Sequence, residues 1–432
     1  MLITRLTIIK ALTSSILLSL IYFLVKLFTT YTSYLDNGFE NYYNLNQINY
    51  LGHSLFFTGI LTGFLVLLIS DTRVFFNKII SAAILIIFFC IIWFFINECN
   101  FINLFFLYEM FLIPSFFLVY YLSPNRRSII ASIYFLTWTQ FGSLLVLMSI
   151  LLIFYQTGSF YFKPSIRLDS TLIYSLLFFG FGIKIPMWPF YYWLTKTHVE
   201  ASSFFSIYLS GFLVKTAVFL FIKFYSLYGS PISFNWFLIL FLIGIIDSSI
   251  KMWHQTDLKK LIAYTTVQEM NFLCIPILWN DAFSEIILAL FIMTHCLLSS
   301  IFFLYIDIIT KRYNTRVTTQ INGLVHTMPL FTLCIFVSWV LFSGLPYTIK
   351  FLLELGIFNI LYHHSNILCL VIIIAMNFIG ILGFSKNIFN SLFGTPILSH
   401  IIAYDLTRKE LYLFTFMIFC LVLLNFSTLL IC

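Results

Sequence analysis

The sequence carries little charge. Asp, Glu, Lys and Arg together make up 9% of its 432 residues, whereas a soluble domain has about 25%. Apolar runs of about 20 residues, long enough to cross a bilayer, recur along the whole chain. The longest polar interval, residues 30–49, is too short to fold alone. These features exclude a soluble fold and predict one helical membrane domain.

The sequence also lacks the patterns of several other classes. Its apolar runs are continuous rather than short and alternating, which excludes a transmembrane barrel. The eight cysteines are scattered and no two have C-x-x-C spacing, so we expect no iron–sulfur cluster and no metal site in this chain. No nucleophile lies beside a base, and nothing in the net charge of +7 indicates a nucleic-acid partner.

The N-terminal segment is predicted to be a retained helix. "MLITRLTIIKALTSSILLSLIYFLVKLF" starts with basic residues like a signal peptide, but its apolar core is too long and has no clear cleavage site. It also lacks the Ser- and Arg-rich amphipathic pattern of a mitochondrial presequence. The 54 phenylalanines fit an A+T-rich genome such as that of an organelle, because phenylalanine codons are rich in A and T.

Run length predicts an all-α, polytopic transmembrane helical bundle of about 13 spans. With this count, the loops after even-numbered spans return to the same side of the membrane as the N-terminus, which we call side A. The opposite side is side B. The predicted spans lie near residues 7–29, 52–71, 79–97, 101–122, 129–155, 171–193, 203–228, 234–250, 261–280, 284–309, 324–362 (long and interrupted), 366–385 and 411–431.

The basic residues are distributed unequally between the two sides. Sixteen of the 23 fall on side A, and only Lys26, Lys163, Arg167 and Lys223 fall on side B. Because basic loops stay in the cytosol or matrix, side A and the N-terminus are predicted to face that compartment. The side-A residues are Arg5, Lys10, Arg73, Lys78, Arg126, Arg127, Lys196, Lys251, Lys259, Lys260, Lys311, Arg312, Arg316, Lys386, Arg408 and Lys409.

Six charged residues lie in the middle of predicted spans, away from the span ends. A charge at mid-bilayer costs roughly 2.5–3.5 kcal/mol, so such groups face protein or water and by default mark an ion or proton path. Burial disfavours the charged form of a lysine and a nearby carboxylate favours it, so a Glu–Lys series can load and release protons. The alternative interpretation is that these residues form structural ion pairs or extend their charged ends to the membrane interface. The six residues are Glu109, Lys184, Lys215, Glu269, Lys350 and Glu354.

Two of these lysines lie beside the sequence signals of a broken helix. Lys184 is in "GFGIKIPMWP" and Lys350 ends "LFSGLPYTIK". Proline removes a backbone hydrogen bond, and glycine permits an unwound geometry. Discontinuous helices at corresponding places in two halves indicate an inverted-repeat transporter with a site at the membrane midplane. We therefore predict two inverted repeats, each with a break that lets water reach the charged groups.

Three further features surround the charged series. Lys350 and Glu354 are four residues apart, so they lie on one helix face and can pair directly. His295, in "FIMTHCLLSS", is the mid-span imidazole best suited to relay protons near neutral pH; a packed, hydrogen-bonded histidine is the alternative. His198, in "TKTHVEASS", lies at the side-A end of the sixth span, where it either takes up protons or caps the next helix.

Five ordered motifs carry a resemblance to a known family. They are "FGIKIPMWPFYYWLTKTHVEA", "GFLVKTAVF", "HQTDLKKLIAYTTVQEM", "THCLLSS" and "LPYTIKFLLELG". In this order they resemble the antiporter-like membrane subunits of respiratory complex I, over most of the chain after the first helix. The resemblance implies proton translocation through the membrane arm, driven by NADH:ubiquinone electron transfer elsewhere in the complex.

The resemblance also implies roles for particular residues. Glu109 matches the first-half glutamate and Lys184 its lysine partner. Lys215 matches the central lysine, His295 the relay histidine and Glu354 the terminal acid. His198 would belong to the path with less support, as would Glu269 and Lys350. The family usually has a histidine at the position of Glu269 and a neutral polar residue at that of Lys350, so these two could re-route the path.

The implied protein is one part of an enzyme, NADH:ubiquinone reductase. The chain would have no redox centre and bind no cofactor, because NADH, FMN, the iron–sulfur clusters and ubiquinone are used by other subunits. Its partners would be membrane lipids and other membrane-arm subunits, including adjacent antiporter-like ones. It would lie in the mitochondrial inner membrane as a multi-pass protein with its N-terminus in the matrix.

The implied organisation has three parts. Residues 1–50 would form an N-terminal helix and polar loop, residues 51–228 the first half of a proton-channel domain, and residues 229–432 its second half with the C-terminal helix. A subunit of a multi-subunit cation/proton antiporter, which shares this fold, is the alternative function. A purely structural scaffold is disfavoured because of the charged series.

Overall fold

A computed structural model of the chain describes residues 46–69, 87–88, 90–122, 126–161, 171–228, 235–278, 282–364, 366–395 and 404–429. The predicted first span, 7–29, and the start of the third, 79–86, lie outside these residues. The described residues are predominantly helical, and two isolated bridges, Asn100 with Tyr161 and Asp257 with Val317, join segments outside the helices.

The described residues form a series of helices. In chain order they are α1 (Asn46–Ile69), α2 (90–97), α3 (Phe101–Met110), α4 (Leu112–Leu122), α5 (Arg126–Thr157), α6 (Thr171–Lys184), α7 (Tyr192–Glu200), α8 (Ser203–Tyr208), α9 (Val214–Tyr228), α10 (Asn235–His254), α11 (Leu258–Cys274), α12 (Ala282–Tyr313), α13 (Leu324–Thr327), α14 (Pro329–Phe342), α15 (Ile349–His363), α16 (Ile367–Leu392) and α17 (Arg408–Leu429). A π turn, Leu209–Leu213, joins α8 to α9, and 3₁₀ turns lie at Pro276–Leu278 and Thr318–Gln320.

The predicted all-α membrane fold is confirmed. Seven helical segments of the described chain are long and apolar enough to cross a membrane, and α6 and α14 are shorter apolar helices. The predicted span at 171–193 contains α6, a break and the first two residues of α7. The interrupted span predicted at 324–362 corresponds to α13, α14 and α15. The broken helices were predicted from the Gly and Pro residues beside Lys184 and Lys350.

Three helical segments form the centre of the molecule. In Ser203–Phe224, Leu258–Leu278 and Glu285–Tyr313, 94% of the most apolar stretch is buried, against 22% in Ile367–Leu392. Lipid is as apolar as a leucine side chain, so a helix such as α16 can expose an apolar face at no cost. The central segments carry Lys215, Glu269 and His295, and the fold therefore removes these side chains from lipid.

The first break lies between Lys184 and Tyr192. Its freed backbone groups find partners, as they must inside a membrane. The Trp193 indole donates to the carbonyl of Ile183 at 2.8 Å, and the amide of Asn271 donates to that of Pro186 at 3.4 Å. The break thus ends α6 at Lys184 and leaves the ammonium at the end of a helix.

The second break lies between α14 and α15. Gly344 has φ +65°, a conformation that glycine adopts without strain. Thr348 then caps α15, its hydroxyl accepting from the amide of Phe351 at 3.4 Å. Lys350 consequently stands in the first turn of α15, with Glu354 one turn further on.

Candidate proton path

The first charged site joins three helices. The Lys184 ammonium, at the end of α6, lies 2.9 Å from Oε1 of Glu109 on α3. The other carboxylate oxygen accepts from the amide of Gln140, on α5, at 3.0 Å. The ammonium also lies 3.7 Å from the ring centroid of Tyr108, a cation–π distance. Both oxygens of Glu109 are therefore bound, as a carboxylate removed from water requires.

A cavity extends from this pair toward α9. It has about 40 Å³ of space and is lined by Lys184, Tyr108 and Thr139 on one side and by Leu213 and Thr216 on the other. A polar cavity needs roughly 10–15 Å³ to hold one water molecule. This cavity is large enough for water between Lys184 and the start of the helix that carries Lys215.

The second charged site is at the centre of the molecule. Lys215 is fully buried, and its ammonium lies 2.6 Å from Nδ1 of His295 on α12. It also donates to the backbone carbonyl of Ser210, which belongs to the π turn. A π turn widens the helix and changes its hydrogen bonding, and such turns are frequent at functional sites. The local geometry thus gives the buried lysine two partners without a carboxylate.

The third site contains one lysine between two carboxylates. Lys350 Nζ lies 2.5 Å from Oε1 of Glu269 on α11 and 3.8 Å from Oε1 of Glu354 on its own helix. The predicted pairing of Lys350 with Glu354 is therefore present, but the shorter contact is to Glu269. The exposed fractions of the three residues are 3%, 6% and 7%.

A second cavity lies between His295 and the lysine–carboxylate cluster. It has about 10 Å³ of space, at the lower limit for one water. Glu269, Lys350 and His295 all line it, together with Thr265 and Ser299. The central and terminal sites are therefore separated by a space that is polar on several sides.

His198 is also in the interior of the protein. Its exposed fraction is 0%, and neither ring nitrogen has a hydrogen-bond partner. The ring stacks on Phe303 at a centroid distance of 4.9 Å. The Ser206 hydroxyl binds the backbone carbonyl of His198 rather than its ring. The next helix, α8, is capped by Ser202, so the role of a helix cap does not belong to His198.

Together, the residues predicted from the sequence form three groups inside the bundle, all of them buried except the partly exposed Glu109. Glu109 and Lys184 form the first, Lys215 and His295 the second, and the third is Glu269 with Lys350 and Glu354. Acids, ammonium groups and an imidazole connected by water-sized spaces are able to pass protons by short transfers. Among the residues that the structure describes, no cluster of His, Cys, Asp or Glu could hold a metal ion.

Sequence reasoning missed several contributors to these sites. Gln140 was overlooked although a polar amide inside an apolar span, "TWTQFGS", is a usable signal, because polar groups are costly in a membrane. Tyr108 was overlooked because an aromatic residue is unremarkable in a chain with 54 phenylalanines. The π turn before Lys215 has no sequence signal that we recognise.

Comparison with known sequences places these motifs in a family. Residues 99–380 match the family of the transmembrane domain of NADH:quinone oxidoreductase and Mrp antiporters. The chain is 41% identical to NADH-ubiquinone oxidoreductase chain 4 of Paramecium tetraurelia over 375 residues, which are 85% of this chain and 79% of that protein. It is 32% identical to the protein of the same name from Chondrus crispus, over 72% of this chain and 65% of that one.

Solved structures share the fold. A chain of the Mrp complex from Dietzia sp. DQ12-45-1b superimposes with a TM-score of 0.81 at 15% identity, covering 99% of this chain and 91% of its own. A chain of respiratory complex I from Thermus thermophilus gives a TM-score of 0.74 at 13% identity, covering 99% and 98%. At these identities the likeness concerns the fold alone.

Proposed function

Because the chain belongs to the transmembrane family of NADH:quinone oxidoreductases and Mrp antiporters, we propose that it is a proton-translocating membrane-arm subunit of respiratory complex I. Protons would pass along Glu109, Lys184, Lys215, His295 and Glu354, coupled to NADH:ubiquinone electron transfer in other subunits. His198, Glu269 and Lys350 would be further members of the path.

The observation that carries this proposal is the series of titratable groups that the fold places inside the helical bundle. Each of the three groups crosses from one helix to another, so no single helix could supply the path. The cavity of about 40 Å³ reaches from Lys184 to the start of the helix that carries Lys215, and that of about 10 Å³ lies between His295 and the pair of Glu269 and Lys350. A packed structural core has no need of a lysine in each of three such places, since burial of a charge is costly.

A cation/proton antiporter subunit is the second candidate. It is favoured by the fold, which is shared with the Mrp complex at a TM-score of 0.81. The complex I proposal is favoured by sequence, because relatives at 41% and 32% identity carry the name NADH-ubiquinone oxidoreductase chain 4. We prefer complex I, because the sequence relatives share 41% and 32% identity with this chain and the solved structures only 15% and 13%.

The finer assignments belong to the same proposal. The chain would hold no redox centre, with NADH, FMN, iron–sulfur clusters and ubiquinone bound by other subunits. It would contact adjacent antiporter-like subunits and lipids in the mitochondrial inner membrane, with its N-terminus in the matrix. Residues 51–228 and 229–432 would be the two halves of the proton-channel domain, after the segment 1–50.

Native separation of the source membranes tests the proposal. The membranes would be solubilised in a mild detergent, the complexes separated under native conditions, and this chain located by mass spectrometry. We expect it in a very large assembly that oxidises NADH. Recovery only in a smaller assembly without redox subunits would overturn the complex I assignment in favour of the antiporter.

A further inference from the structure

In the cluster of Glu269, Lys350 and Glu354, the ammonium lies closer to one carboxylate than to the other. The proposed path does not by itself explain this difference. The ammonium is held by Glu269, at 2.5 Å, while Oε1 of Glu354 lies 3.8 Å away and has no hydrogen-bond partner. One ammonium thus stands between two buried acceptors that come from different helices. The two distances differ by 1.3 Å (3.8 minus 2.5), so a small movement of the ammonium toward Glu354 would exchange the closer partner.

The two carboxylates differ in their surroundings, although Asn377 both hydrogen-bonds Glu354 and lines a small space with Glu269. Glu269 and Lys350 line the cavity that also contains His295, whereas Glu354 does not line it. Glu354 instead lies against the second break: a side-chain carbon at Gly344 would be 3.2 Å from its Oε2. Movement of a proton from Glu269 to Glu354 would therefore carry it from the His295 side to the side of the helix break.

The side chain of Lys350 can make this exchange. Its ammonium ends a flexible four-carbon stem, and it lies 3.8 Å from the ring centroid of Phe342. The ring face attracts a cation without fixing its direction. Phe342 can therefore hold the ammonium while it turns from one carboxylate to the other.

Charge balance limits the states of the cluster. With Lys350 protonated and both carboxylates ionised, the three groups carry one net negative charge. One further proton makes the cluster neutral, and a neutral cluster is the less costly one in a water-poor interior. The proton can reside on Glu354 while Lys350 pairs with Glu269, or on Glu269 while Lys350 pairs with Glu354.

From this geometry we propose that Lys350 is a proton carrier that exchanges partners between Glu269 and Glu354. A proton from the His295 side neutralises Glu269, the ammonium turns to Glu354, and Glu354 loses its proton toward the break. Lys350 then gives a proton to Glu354, and Glu269 re-protonates the amine, which restores the first arrangement. One proton enters at Glu269 and one leaves from Glu354 in each cycle. The inference rests on the proposed proton-translocating function.

Replacement by arginine separates carrying a proton from merely forming an ion pair. Arginine keeps the positive charge between the two carboxylates but does not deprotonate in proteins. In the purified complex reconstituted into vesicles, we expect Lys350→Arg to assemble normally and to lower the initial rate of NADH-driven proton pumping by about 100-fold, the contribution typical of a positioned acid–base group. Lys350→Gln should lower it as well.

Two other lysines provide the controls. Lys386 is exposed and contacts the Trp253 ring at 5.0 Å, so Lys386→Arg should pump like the wild type. Lys215→Met removes the central lysine of the proposed path and should abolish pumping. Wild-type pumping by Lys350→Arg together with loss in Lys215→Met would overturn the carrier role and leave the proposed function in place. If Lys350→Arg and Lys215→Met both pumped like the wild type, the carrier role of Lys350 and the proposed function would both be overturned.

A paired variant keeps the test usable if arginine prevents assembly. Glu269→Gln with Lys350→Gln removes one charge of each sign and conserves side-chain size, so it leaves no unpaired ammonium. We expect this double variant to assemble and to pump as slowly as Lys350→Gln. A wild-type pumping rate in an assembled double variant would contradict the proposal.

Discussion

At the scale of single residues, the pair of Glu109 and Lys184 is held by neutral side chains as well as by its ionic contact. Glu109 binds the Lys184 ammonium with one oxygen and the Gln140 amide with the other, at 2.9 and 3.0 Å. The Ser143 hydroxyl lies 2.8 Å from the backbone carbonyl of Gln140 and 3.2 Å from its side-chain oxygen, so it contacts both acceptors of that residue. These neutral side chains fix the geometry of the pair without adding charge.

Substitution of Gln140 tests this positioning role. Gln140→Leu removes a hydrogen bond to a carboxylate, which is worth about 1.5–3 kcal/mol, while Lys184 remains in place. We expect slower proton pumping in reconstituted vesicles but normal assembly, and a smaller loss than in Lys184→Gln, which removes the ionic partner itself.

Ser175→Ala is the matched control, because the Ser175 hydroxyl binds only a backbone carbonyl of its own helix, that of Leu172. It should pump like the wild type. If Gln140→Leu also did so, the hydrogen bond to Glu109 would have no role in positioning.

At the scale of helices, small residues decide how closely α5 and α6 approach. A side-chain carbon at Gly142 would be 2.8 Å from the backbone oxygen of Gly180, and one at Gly180 would be 3.0 Å from that of Gly142. Contacts between small residues are a main way in which helices associate in membranes. Lys184 lies one turn beyond Gly180, so this contact sets the distance between the lysine and the helix of Gln140.

A larger side chain at this contact should separate the helices. Gly142→Val must displace backbone rather than a flexible side chain, and overpacking of this kind costs about 1–3 kcal/mol. We expect less assembled complex on native gels and a lower midpoint temperature for loss of NADH-driven pumping. Leu144→Ile, two residues along α5 with a side chain that is 55% exposed, should change neither quantity.

At the scale of the whole molecule, the unequal distribution of basic residues predicts the orientation. Lys260 and Tyr155 are both exposed, and the predicted topology places them on opposite sides, Lys260 on side A and Tyr155 on side B. Positively charged loops remain on the matrix side, so Lys260 should be reached from the matrix and Tyr155 from the intermembrane space.

Cysteine labelling tests this orientation. Lys260→Cys and Tyr155→Cys would be made in a chain in which the exposed Cys90 and Cys99 are serine. With an impermeant maleimide, mitoplasts should label Tyr155→Cys and inside-out vesicles Lys260→Cys, as identified by peptide mass spectrometry. The reverse pattern would show that the count of thirteen spans, or the side of the N-terminus, is wrong.

Much of the fold was predictable because it depends on local sequence. Hydrophobic run length predicted the spans, since every backbone group in a bilayer must be satisfied within a helix. Glycine and proline predicted the breaks beside Lys184 and Lys350. The boundary between α8 and α9 was not predictable in this way, because the run from 203 to 228 has the pattern of one helix. The π turn inside it packs against α12, where the Ser210 hydroxyl donates to that of Ser299 at 3.2 Å.

The sequence by itself determined which residues could carry charge through the membrane, because an Asp, Glu, Lys or His inside an apolar run is costly whatever surrounds it. Only the tertiary structure decided which of these residues meet. The spacing of Lys350 and Glu354 predicted their contact, but the closer partner, Glu269, lies 81 residues away on another helix. Such pairing depends on how the helices pack. Packing brings together side chains that are far apart in the sequence, so their spacing along the chain does not predict the contact.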